Sequence, residues 1–476
     1  MSFTSLSFIV FLLCSFIVFK ATKYKWQALL LISLAYYASF SVKAFVYLIF
    51  VILSTYFSAI YLEKHKNKLV LAITLILNFG MLSLVKFTRV NIFENFIPLG
   101  ISFYIFMATG YMIDVYRGKY EAQKNIFKYS LFVSFFPQMM QGPISRYDDI
   151  SQGLYHDDSS ATDISYGLML ILYGFFKKLV IADRAAVFVN KVFTEPDLYS
   201  GIFVFIAIIF YSIQIYCDFS GGIDVARGAA YLFGVKLDRN FKRPFLATSL
   251  ADFWRRWHTS LGSWMKDYVF YSLSLSKAFV FINKQSRKHF GRKFGKYLTL
   301  SIASFVVYFI IGIWHGAGLN FLAFGLYNGT IISLGLIFED RNKAFREKIG
   351  LKDTSLTYRV LKICSTLLIV FIGRYFTRSA GLRTALHMMK KTLVDRSFRY
   401  AATGLSKLDY AVILISLILV FIVSLAEEKE IDVKEKVLKI KPIYLFTGLL
   451  IFMAFVAYFG VFASGFTKVD FIYRNY

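Results

Sequence analysis

The sequence predicts an all-α polytopic membrane protein, and three observations support this prediction. Of the 476 residues, 57% are hydrophobic and only 18% are charged, whereas soluble domains carry about 25% charged residues. Apolar runs close to the length needed to cross a bilayer recur along the chain. They are continuous and lack the period-two alternation of a membrane β-barrel, which leaves helices as the permitted structure. We expect roughly 11–13 transmembrane or re-entrant helices.

The clearest apolar runs give the expected membrane helices in chain order. They are Leu6–Phe19, Ala44–Leu62, Leu69–Val85, Phe203–Tyr216, Leu298–Trp314, Val360–Ile372, Ala411–Leu425 and Tyr444–Phe462. No Lys or Arg precedes the first run, and no small-residue cleavage site follows it. We therefore expect a retained first helix instead of a removed signal peptide.

The formal net charge of +26 does not favour nucleic-acid binding, because the basic residues lie in short links between apolar runs. The positive-inside bias places basic residues in such links. The densest cluster is Lys277, Lys284, Arg287, Lys288, Arg292, Lys293 and Lys296. It is typical of a solvated cytoplasmic loop, and an anionic lipid or an acidic acyl-donor molecule is the more specific alternative.

The three cysteines, Cys14, Cys217 and Cys364, have no paired spacing and lie in or beside apolar runs. This pattern favours neither a disulfide nor a zinc site. We expect no metal site and no tightly bound cofactor.

We expect one membrane domain over residues 1–476, with three zones along it. Residues 1–90 and 341–476 consist of apolar helices with charged links, whereas 91–340 contains polar and Gly/Pro motifs at membrane depth. Irregular backbone at that depth is tolerated only where it is buried in protein or lines a water-filled cavity. The middle zone is therefore where we expect a functional site.

His315 is the strongest candidate in that zone. It lies in Ile311–Gly318, where one apolar run ends and the next begins. An ionisable side chain inside a membrane segment suggests function by default, and shielding from water favours the neutral imidazole that a general base needs. Gly316 and Gly318 permit close approach of a substrate or another backbone. The alternative is a hydrogen-bonded histidine between packed helices.

A second motif runs from Asp252 to Tyr268 and is rich in tryptophan and arginine. Helical spacing places Trp254, Trp257 and His258 on one face and directs Arg255 elsewhere. This pattern indicates an amphipathic helix at the membrane surface, with arginines within reach of phosphates. His258 suggests more than a surface helix, because it shares the aromatic face.

Two further motifs precede these in the chain. In Phe136–Tyr147, two prolines and a glycine cannot continue a regular helix, so we expect a broken segment or an ordinary loop that includes Arg146. In Tyr216–Gly228, Asp218 lies at membrane depth, and Asp224 can pair with Arg227 at i, i+3. A structural ion pair and a polar channel lining both fit this second motif.

Several signatures of other enzyme classes are absent from the sequence. There is no phosphate-binding Walker loop, dinucleotide fingerprint, HExxH metalloprotease helix or GxSxG elbow. The sequence therefore supports neither ATP-driven transport nor serine hydrolysis through these signatures.

Taken in order, the motifs at 135–147, 216–228, 240–268 and 311–329 resemble the membrane-bound O-acyltransferase (MBOAT) family. The similarity is to its bacterial branch of polysaccharide O-acetyltransferases and teichoic acid D-alanyltransferases. The closing Phe471-Ile472-Tyr473 resembles the end of alginate-type members. After Tyr268, acetyltransferases usually continue with a Pro-Leu-Gly-Gly turn, whereas this chain reads Val269-Phe270-Tyr271-Ser272-Leu273.

The resemblance implies a helical bundle around a central tunnel in a bacterial cytoplasmic membrane. The acyl donor, either acetyl-CoA or an acyl carrier protein, would enter from the cytoplasm. The acceptor, either a polymer hydroxyl or an SGNH-type transferase partner, would approach from outside. It implies His315 as the catalytic histidine and His258 as its partner. The residues expected to line the channel or bind the donor are Trp254, Arg255, Arg256, Trp257, Trp314, Asp218 and Arg146.

Acetyl transfer to a cell-envelope polysaccharide is the favoured activity, because the chain length and carboxyl terminus resemble alginate-type members. D-alanyl transfer to teichoic acid from a carrier protein is the alternative within the family. A transporter or flippase of an envelope-polymer intermediate is the alternative from another class. Transporters often carry broken segments in two related halves, whereas the polar motifs here fall in one central zone.

Overall fold

The computed structural model describes residues 3–87, 100–157, 159–348, 355–399 and 401–461. They fold into two compact units. Unit 1 comprises Met1–Ala185, Ile213–Arg239 and Ser406–Tyr476, and unit 2 comprises Ala186–Ser212 and Asn240–Leu405. These boundaries cut across the three zones drawn from the sequence, and the expectation of a single membrane domain stays a prediction.

Unit 1 contains the helices at both ends of the chain. They are α1 (Leu6–Ala21), α2 (Lys25–Ala38), α3 (Val42–His65), α4 (Lys68–Phe87), α5 (Ile101–Arg117), α6 (Ile126–Ser134), α7 (Phe136–Gln141), α8 (Tyr147–Tyr155), α9 (Ala161–Phe175), α21 (Lys407–Glu428), α22 (Val433–Leu438) and α23 (Pro442–Phe459). A π-helical turn, Phe176–Ala182, joins α9 to α10 (Asp183–Thr194).

Unit 2 contains the helices of the two histidine motifs. They are α12 (Leu250–Arg256), α13 (Thr259–Trp264), α14 (Tyr271–Ser274), α15 (Lys277–Phe290), α16 (Arg292–His315), α17 (Leu319–Ile337), α18 (Glu339–Lys348), α19 (Leu356–Arg378) and α20 (Leu382–Val394). Helix α10 begins in unit 1 and ends in unit 2. Helix α11 (Gly201–Leu232) begins in unit 2 and ends in unit 1.

The all-α fold class is confirmed. Within the described residues, the only β-type pairing is an isolated bridge between Phe241 and Trp257. Nine of the described helices are long and apolar enough to cross a membrane, and α1 is a shorter apolar helix. The protein is therefore a multi-pass membrane protein. The 11–13 helices expected from the sequence also include re-entrant segments, which these nine do not count.

Close contacts at glycines hold several of these helices together. A Cβ atom at Gly312 in α16 would lie 2.9 Å from the Cα atom of Gly325 in α17. In unit 1, a Cβ atom at Gly221 would lie 2.8 Å from the carbonyl oxygen of Gly174. Lipid tails provide little hydrophobic drive for helix association, so backbones that approach this closely gain stability from dispersion contacts instead.

The segment at 136–147 is broken, as its prolines and glycine predicted. Helix α7 begins directly after Phe135, whose backbone is not helical, and it ends at Gly142. The motif at 216–228 behaves differently, because α11 continues through it as regular helix. The closing motif Phe471-Ile472-Tyr473 lies outside the described residues.

Candidate active site

His315 is the last residue of α16, at the turn that leads into α17. Its side chain is partly exposed. The imidazole lies 5.6 Å from the ring of Phe324 and 6.3 Å from that of Phe321, measured between ring centroids. The free carbonyl groups in the last turn of a helix favour positive charge there. The imidazole of His315 belongs to this last turn of α16.

Gly316 allows the close contact between His315 and Phe321. A Cβ atom at position 316 would lie 2.7 Å from two ring carbons of Phe321. The ring stacks nearly parallel to the imidazole, with an interplanar angle of 17°. The glycine next to His315, recognised in the sequence, therefore brings an aromatic ring of α17 against the imidazole.

His258 lies in a tight turn that is held by Asn240. The main-chain carbonyl of Asn240 accepts from the Thr259 amide at 3.0 Å, and its side-chain Oδ1 accepts from the Ser260 amide at 2.9 Å. His258 itself has a left-handed backbone conformation, with φ of 50°. Such a conformation is uncommon for a non-glycine residue. These hydrogen bonds hold the turn in that conformation.

The same asparagine selects the tautomer of His258. Its Oδ1 atom lies 3.3 Å from the Nδ1 atom of His258. The Ser260 amide donates to Oδ1. If the carboxamide were rotated by half a turn, its NH2 group would face this amide, and two donors would be opposed. Oδ1 is therefore an acceptor towards His258 as well, and the ring proton lies on Nδ1. Nε2 then bears the lone pair.

Burial keeps His258 neutral. The side chain is 3% exposed, and this burial lowers its pKa to about 3. Loss of water disfavours the charged form of an imidazole. In the resting protein, His258 is thus a neutral ring.

Trp314 brings the two histidines into one cluster. Its indole ring lies 4.8 Å from the imidazole of His315 and 6.3 Å from that of His258. All three residues belong to unit 2, and Trp314 is buried. The prediction that both histidines share one site stays a prediction, but their common contact with Trp314 supports it.

The predicted helical face across Trp254, Trp257 and His258 is wrong. Helix α12 ends at Arg256, Trp257 is extended, and a new helix begins at Thr259. Trp257 pairs with Phe241 as an isolated bridge, and the Lys242 amide donates to the Arg256 carbonyl at 2.8 Å. Pairing with this earlier segment ends the helix that local spacing favours.

Trp254 lies in α12 before this break, whereas Trp257 lies at the break itself. The indole N–H of Trp254 donates to Oδ1 of Asn328 at 3.0 Å, which ties α12 to α17. The Trp257 ring stacks on Phe253 at 5.5 Å. Both tryptophans therefore have structural contacts within unit 2, and their contact with a donor stays a prediction.

Arg374 is a buried residue of this region that was not predicted from the sequence. It lies in α19, is 3% exposed, and its guanidinium carbon lies 4.6 Å from the centre of the Trp257 ring. A cation over an indole face is stabilised by the ring quadrupole, most strongly where water is excluded. The available signal was an arginine within an apolar run, the same signal that singled out His315.

Arg255 and Arg256 surround Asp252. The Nε atom of Arg256 lies 3.1 Å from the Asp252 carboxylate, and Arg255 approaches it at 3.4 Å. Burial raises the pKa of Asp252, but the Thr248 amide and the two guanidinium groups outweigh this effect, so the net pKa is lowered. Arg255 is the more exposed arginine, with 70% of its side chain accessible. It is the better placed of the two to meet an anionic donor.

Asp218 and Arg146 are residues of unit 1. Asp218 is 1% exposed and accepts from Lys178 at 2.7 Å, and Lys178 also contacts Asp183 at 2.7 Å. Arg146 is the N-cap residue of α8. The structure therefore describes Asp218 within a buried ion-pair network, and its predicted role as a channel residue stays a prediction.

The predicted pair of Asp224 and Arg227 is present at 3.6 Å. Lys177 lies closer to Asp224, at 2.6 Å, and also donates to Ser220 at 3.0 Å. The described residues contain no group of three His, Cys, Asp or Glu side chains placed to hold a metal ion.

The fold and the cluster in unit 2 define a class: a helical multi-pass membrane protein with two histidines against one buried indole, suited to acid–base chemistry. The family model of the membrane-bound O-acyltransferases matches residues 18–376. The chain therefore belongs to the membrane-bound O-acyltransferase family.

Three relatives illustrate the range of activities among similar proteins. A probable alginate O-acetylase of Pseudomonas syringae pv. tomato is 30% identical over 61% of this chain and 51% of its own length. A peptidoglycan O-acetyltransferase of Helicobacter pylori is 28% identical over 76% of this chain and 72% of its own. A teichoic acid D-alanyltransferase of Bacillus subtilis is 27% identical over 52% and 61%. The chain thus spans about half the length of the alginate O-acetylase that it matches.

Proposed function

We propose that this protein transfers an acyl group, most simply acetyl, from a cytoplasmic thioester donor to a hydroxyl of a cell-envelope polysaccharide outside a bacterial cytoplasmic membrane. The observation that carries the proposal is the cluster of His315 and His258 on Trp314, in a chain that belongs to this family. The receiving hydroxyl belongs to the polysaccharide itself or to an SGNH-type partner that completes the transfer.

In this reaction His315 is the general base. Its imidazole accepts the proton of the attacking hydroxyl as the oxygen forms a bond to the thioester carbonyl carbon. The tetrahedral intermediate then collapses, the carbon–sulfur bond breaks, and the imidazolium returns the proton to the leaving thiolate. The products are an ester and a free thiol, so no net proton is released.

His258 acts in this scheme as a neutral hydrogen-bond acceptor. With its proton on Nδ1, towards Asn240, its Nε2 atom receives a hydrogen bond from an N–H or O–H group of the substrate. It does not polarise the thioester carbonyl through Nε2, because that atom carries no proton in the resting tautomer. Orientation of the substrate is the role that this geometry supports.

D-alanyl transfer is the second candidate, and two observations favour it. A teichoic acid D-alanyltransferase is among the similar proteins, and the residues after Tyr268 depart from the Pro-Leu-Gly-Gly turn of acetyltransferases. In that case the donor is D-alanyl carrier protein instead of acetyl-CoA. The proposed role of His315 as general base is the same for both donors, because both are thioesters.

The donor is identified by supplying purified protein in proteoliposomes with radiolabelled acetyl-CoA or with radiolabelled D-alanyl carrier protein. Label transferred to an extracytoplasmic acceptor, or released by hydrolysis from one donor only, assigns that donor. A transporter would instead move a lipid-linked polymer intermediate across the bilayer and leave both thioesters intact. Loss of ester-linked acetate or D-alanine from the envelope of a deletion strain identifies the acceptor.

A further inference from the structure

Helix α15 has one face that packs in unit 2 and one that is exposed. Phe279 and Ser286 are buried on the packed side. A Cβ atom at Gly295 in α16 would lie 2.4 Å from the Arg287 amide nitrogen, so α15 passes close to the start of α16. The exposed stripe, at helical spacing, consists of Lys277, Val280, Phe281, Lys284, Arg287 and Lys288.

This exposed stripe combines cations with large apolar side chains. Phe281 is 61% exposed and Val280 is 57% exposed. Phe290 and Phe294, at the turn between α15 and α16, are also exposed. On a face that contacted only water, these rings would not stabilise the protein. Apolar side chains beside lysines and arginines are typical of helices that lie in a membrane interface.

Acidic residues are scarce in the sequence around this surface. Residues 268–338 contain no Asp or Glu, whereas 277–296 contain seven Lys and Arg residues. In the part of the chain that the structure describes, Lys293 is the member of this set that forms an ion pair, with Asp340 at 2.8 Å. The positive charge of the surface is therefore largely uncompensated.

The position of the surface favours a lipid as its ligand. Helix α16 is long and apolar enough to cross a membrane, and its first turn carries Arg292 and Lys293. The basic end of a membrane span lies at the level of the lipid headgroups. Helix α15 is too short and too charged to cross a membrane itself, so it is suited to lie along that level beside the start of α16.

We propose that the exposed face of α15, with the first turn of α16, binds the headgroups of anionic phospholipids at the membrane surface. The cations contact the headgroup phosphates, and Val280, Phe281 and Phe290 enter the boundary between headgroups and acyl chains. This binding is independent of the acyl-transfer reaction and of which acyl group is transferred.

The test compares phosphatidylglycerol with phosphatidylcholine as ligands of the full-length protein. The protein in a nonionic detergent is titrated with short-chain forms of each lipid, and bound lipid is counted by native mass spectrometry. The variant carries Lys284→Gln, Arg287→Gln and Lys288→Gln, all at exposed positions. A control with Lys429→Gln, Lys436→Gln and Lys439→Gln removes the same charge from a segment rich in glutamate.

We expect wild-type protein and control to prefer phosphatidylglycerol, and the variant to bind it on the order of 100-fold more weakly, since each basic residue near an anionic surface contributes about a factor of five. Added salt should weaken wild-type binding. Equal wild-type affinity for the two lipids, or unchanged phosphatidylglycerol affinity in the variant, would overturn the proposal.

A second measurement distinguishes a lipid from an acidic protein. Acidic carrier protein is added to wild type and variant in nanodiscs of phosphatidylcholine alone. Carrier binding that is lost in the variant, together with unchanged phosphatidylglycerol affinity, would assign the surface to a protein and contradict the proposal. Carrier binding that is equal in both supports it, provided that phosphatidylglycerol affinity falls in the variant.

Discussion

The Oδ1 atom of Asn240 lies 3.3 Å from the Nδ1 atom of His258 and 2.9 Å from the amide nitrogen of Ser260. The backbone amide can only donate, so Oδ1 is an acceptor in both contacts. One buried carboxamide therefore shapes the turn and selects the tautomer of the histidine in it. This relationship predicts how His258 responds to pH and to substitution of its neighbour.

Asn240→Asp should raise the pKa of His258. A carboxylate at this position keeps the acceptor for Ser260 but adds a negative charge beside Nδ1, which favours the imidazolium by roughly 1–3 pKa units. On acidification, acyl transfer should then lose rate at a higher pH than in the wild type, while the rate at neutral pH changes little. The measurements are the pH–rate profile and the ¹⁵N shifts of labelled histidine.

Asn328→Asp is the matched control for this substitution. Asn328 is also a buried amide, but it accepts from the Trp254 indole and not from a histidine. It should leave the His258 titration unchanged. An identical titration of His258 in wild-type and Asn240→Asp protein would contradict the assigned hydrogen bond.

Burial of His258 makes the stability of the fold depend on pH. The pKa of this group is lower in the folded than in the unfolded protein, so protons bind preferentially to the unfolded chain. Its contribution is complete above the unfolded pKa of about 6.5 and decreases as the pH falls below it, by about 1.4 kcal/mol per pH unit until the folded pKa is reached.

The measurement is the thermal unfolding midpoint in detergent at about pH 7.5 and about pH 5.5, on the two sides of the unfolded pKa. The midpoint of wild-type protein should fall on acidification by more than that of His258→Gln. Equal decreases in the two proteins would show that His258 is not the group responsible.

Gly316→Ala should reduce turnover without unfolding the protein. The new Cβ atom would meet the Phe321 ring at 2.7 Å, so the ring must move away from its stack on His315. A displacement of about 1 Å at a reacting group costs up to 100-fold in rate, and we expect roughly a tenfold loss in kcat with little change in KM.

Gly335→Ala in α17 is the control, because no heavy atom lies within 4 Å of a Cβ atom there. Its kcat should equal that of the wild type. Gly316→Ala protein with unchanged kcat would mean that the contact between Phe321 and His315 does not position the imidazole.

Arg374→Lys should destabilise unit 2. Lysine keeps the charge but lacks the planar group that lies over Trp257. We expect a loss of about 1–2 kcal/mol in the free energy of unfolding, the magnitude of a desolvated cation–π contact. Unfolding followed by tryptophan fluorescence measures it. Arg383→Lys, at an exposed position in α20, should have no effect; equal stability of both variants would contradict the role of the stack.

The sequence predicts the helical membrane class because a lipid bilayer requires long apolar segments with few charged residues. It also singles out His315, since an ionisable residue between two apolar runs conflicts with that solvent. Both inferences depend on local composition alone. Local sequence information is therefore sufficient to predict the fold class and one candidate residue.

Interactions between distant segments explain what the sequence did not predict. Trp257 leaves the expected helix because Phe241 pairs with it, and spacing within one segment cannot reveal such a partner. Asn240 has no local feature that marks it, since its function depends on a turn 18 residues later. Arg374, in contrast, could have been found by applying the argument made for His315 to every apolar run.

If His315 is the base for acyl transfer, substitution of this residue must remove most of the activity. His315→Ala protein, shown to be folded by its thermal unfolding midpoint, is reconstituted in proteoliposomes with the labelled donor that the wild type uses. His65→Ala, at an exposed position in α3, is the control. We predict that His315→Ala loses on the order of 100-fold to 10,000-fold in ester formation, the usual contribution of a general base, while His65→Ala matches the wild type. A folded His315→Ala protein that forms ester at the wild-type rate would show that His315 is not the base.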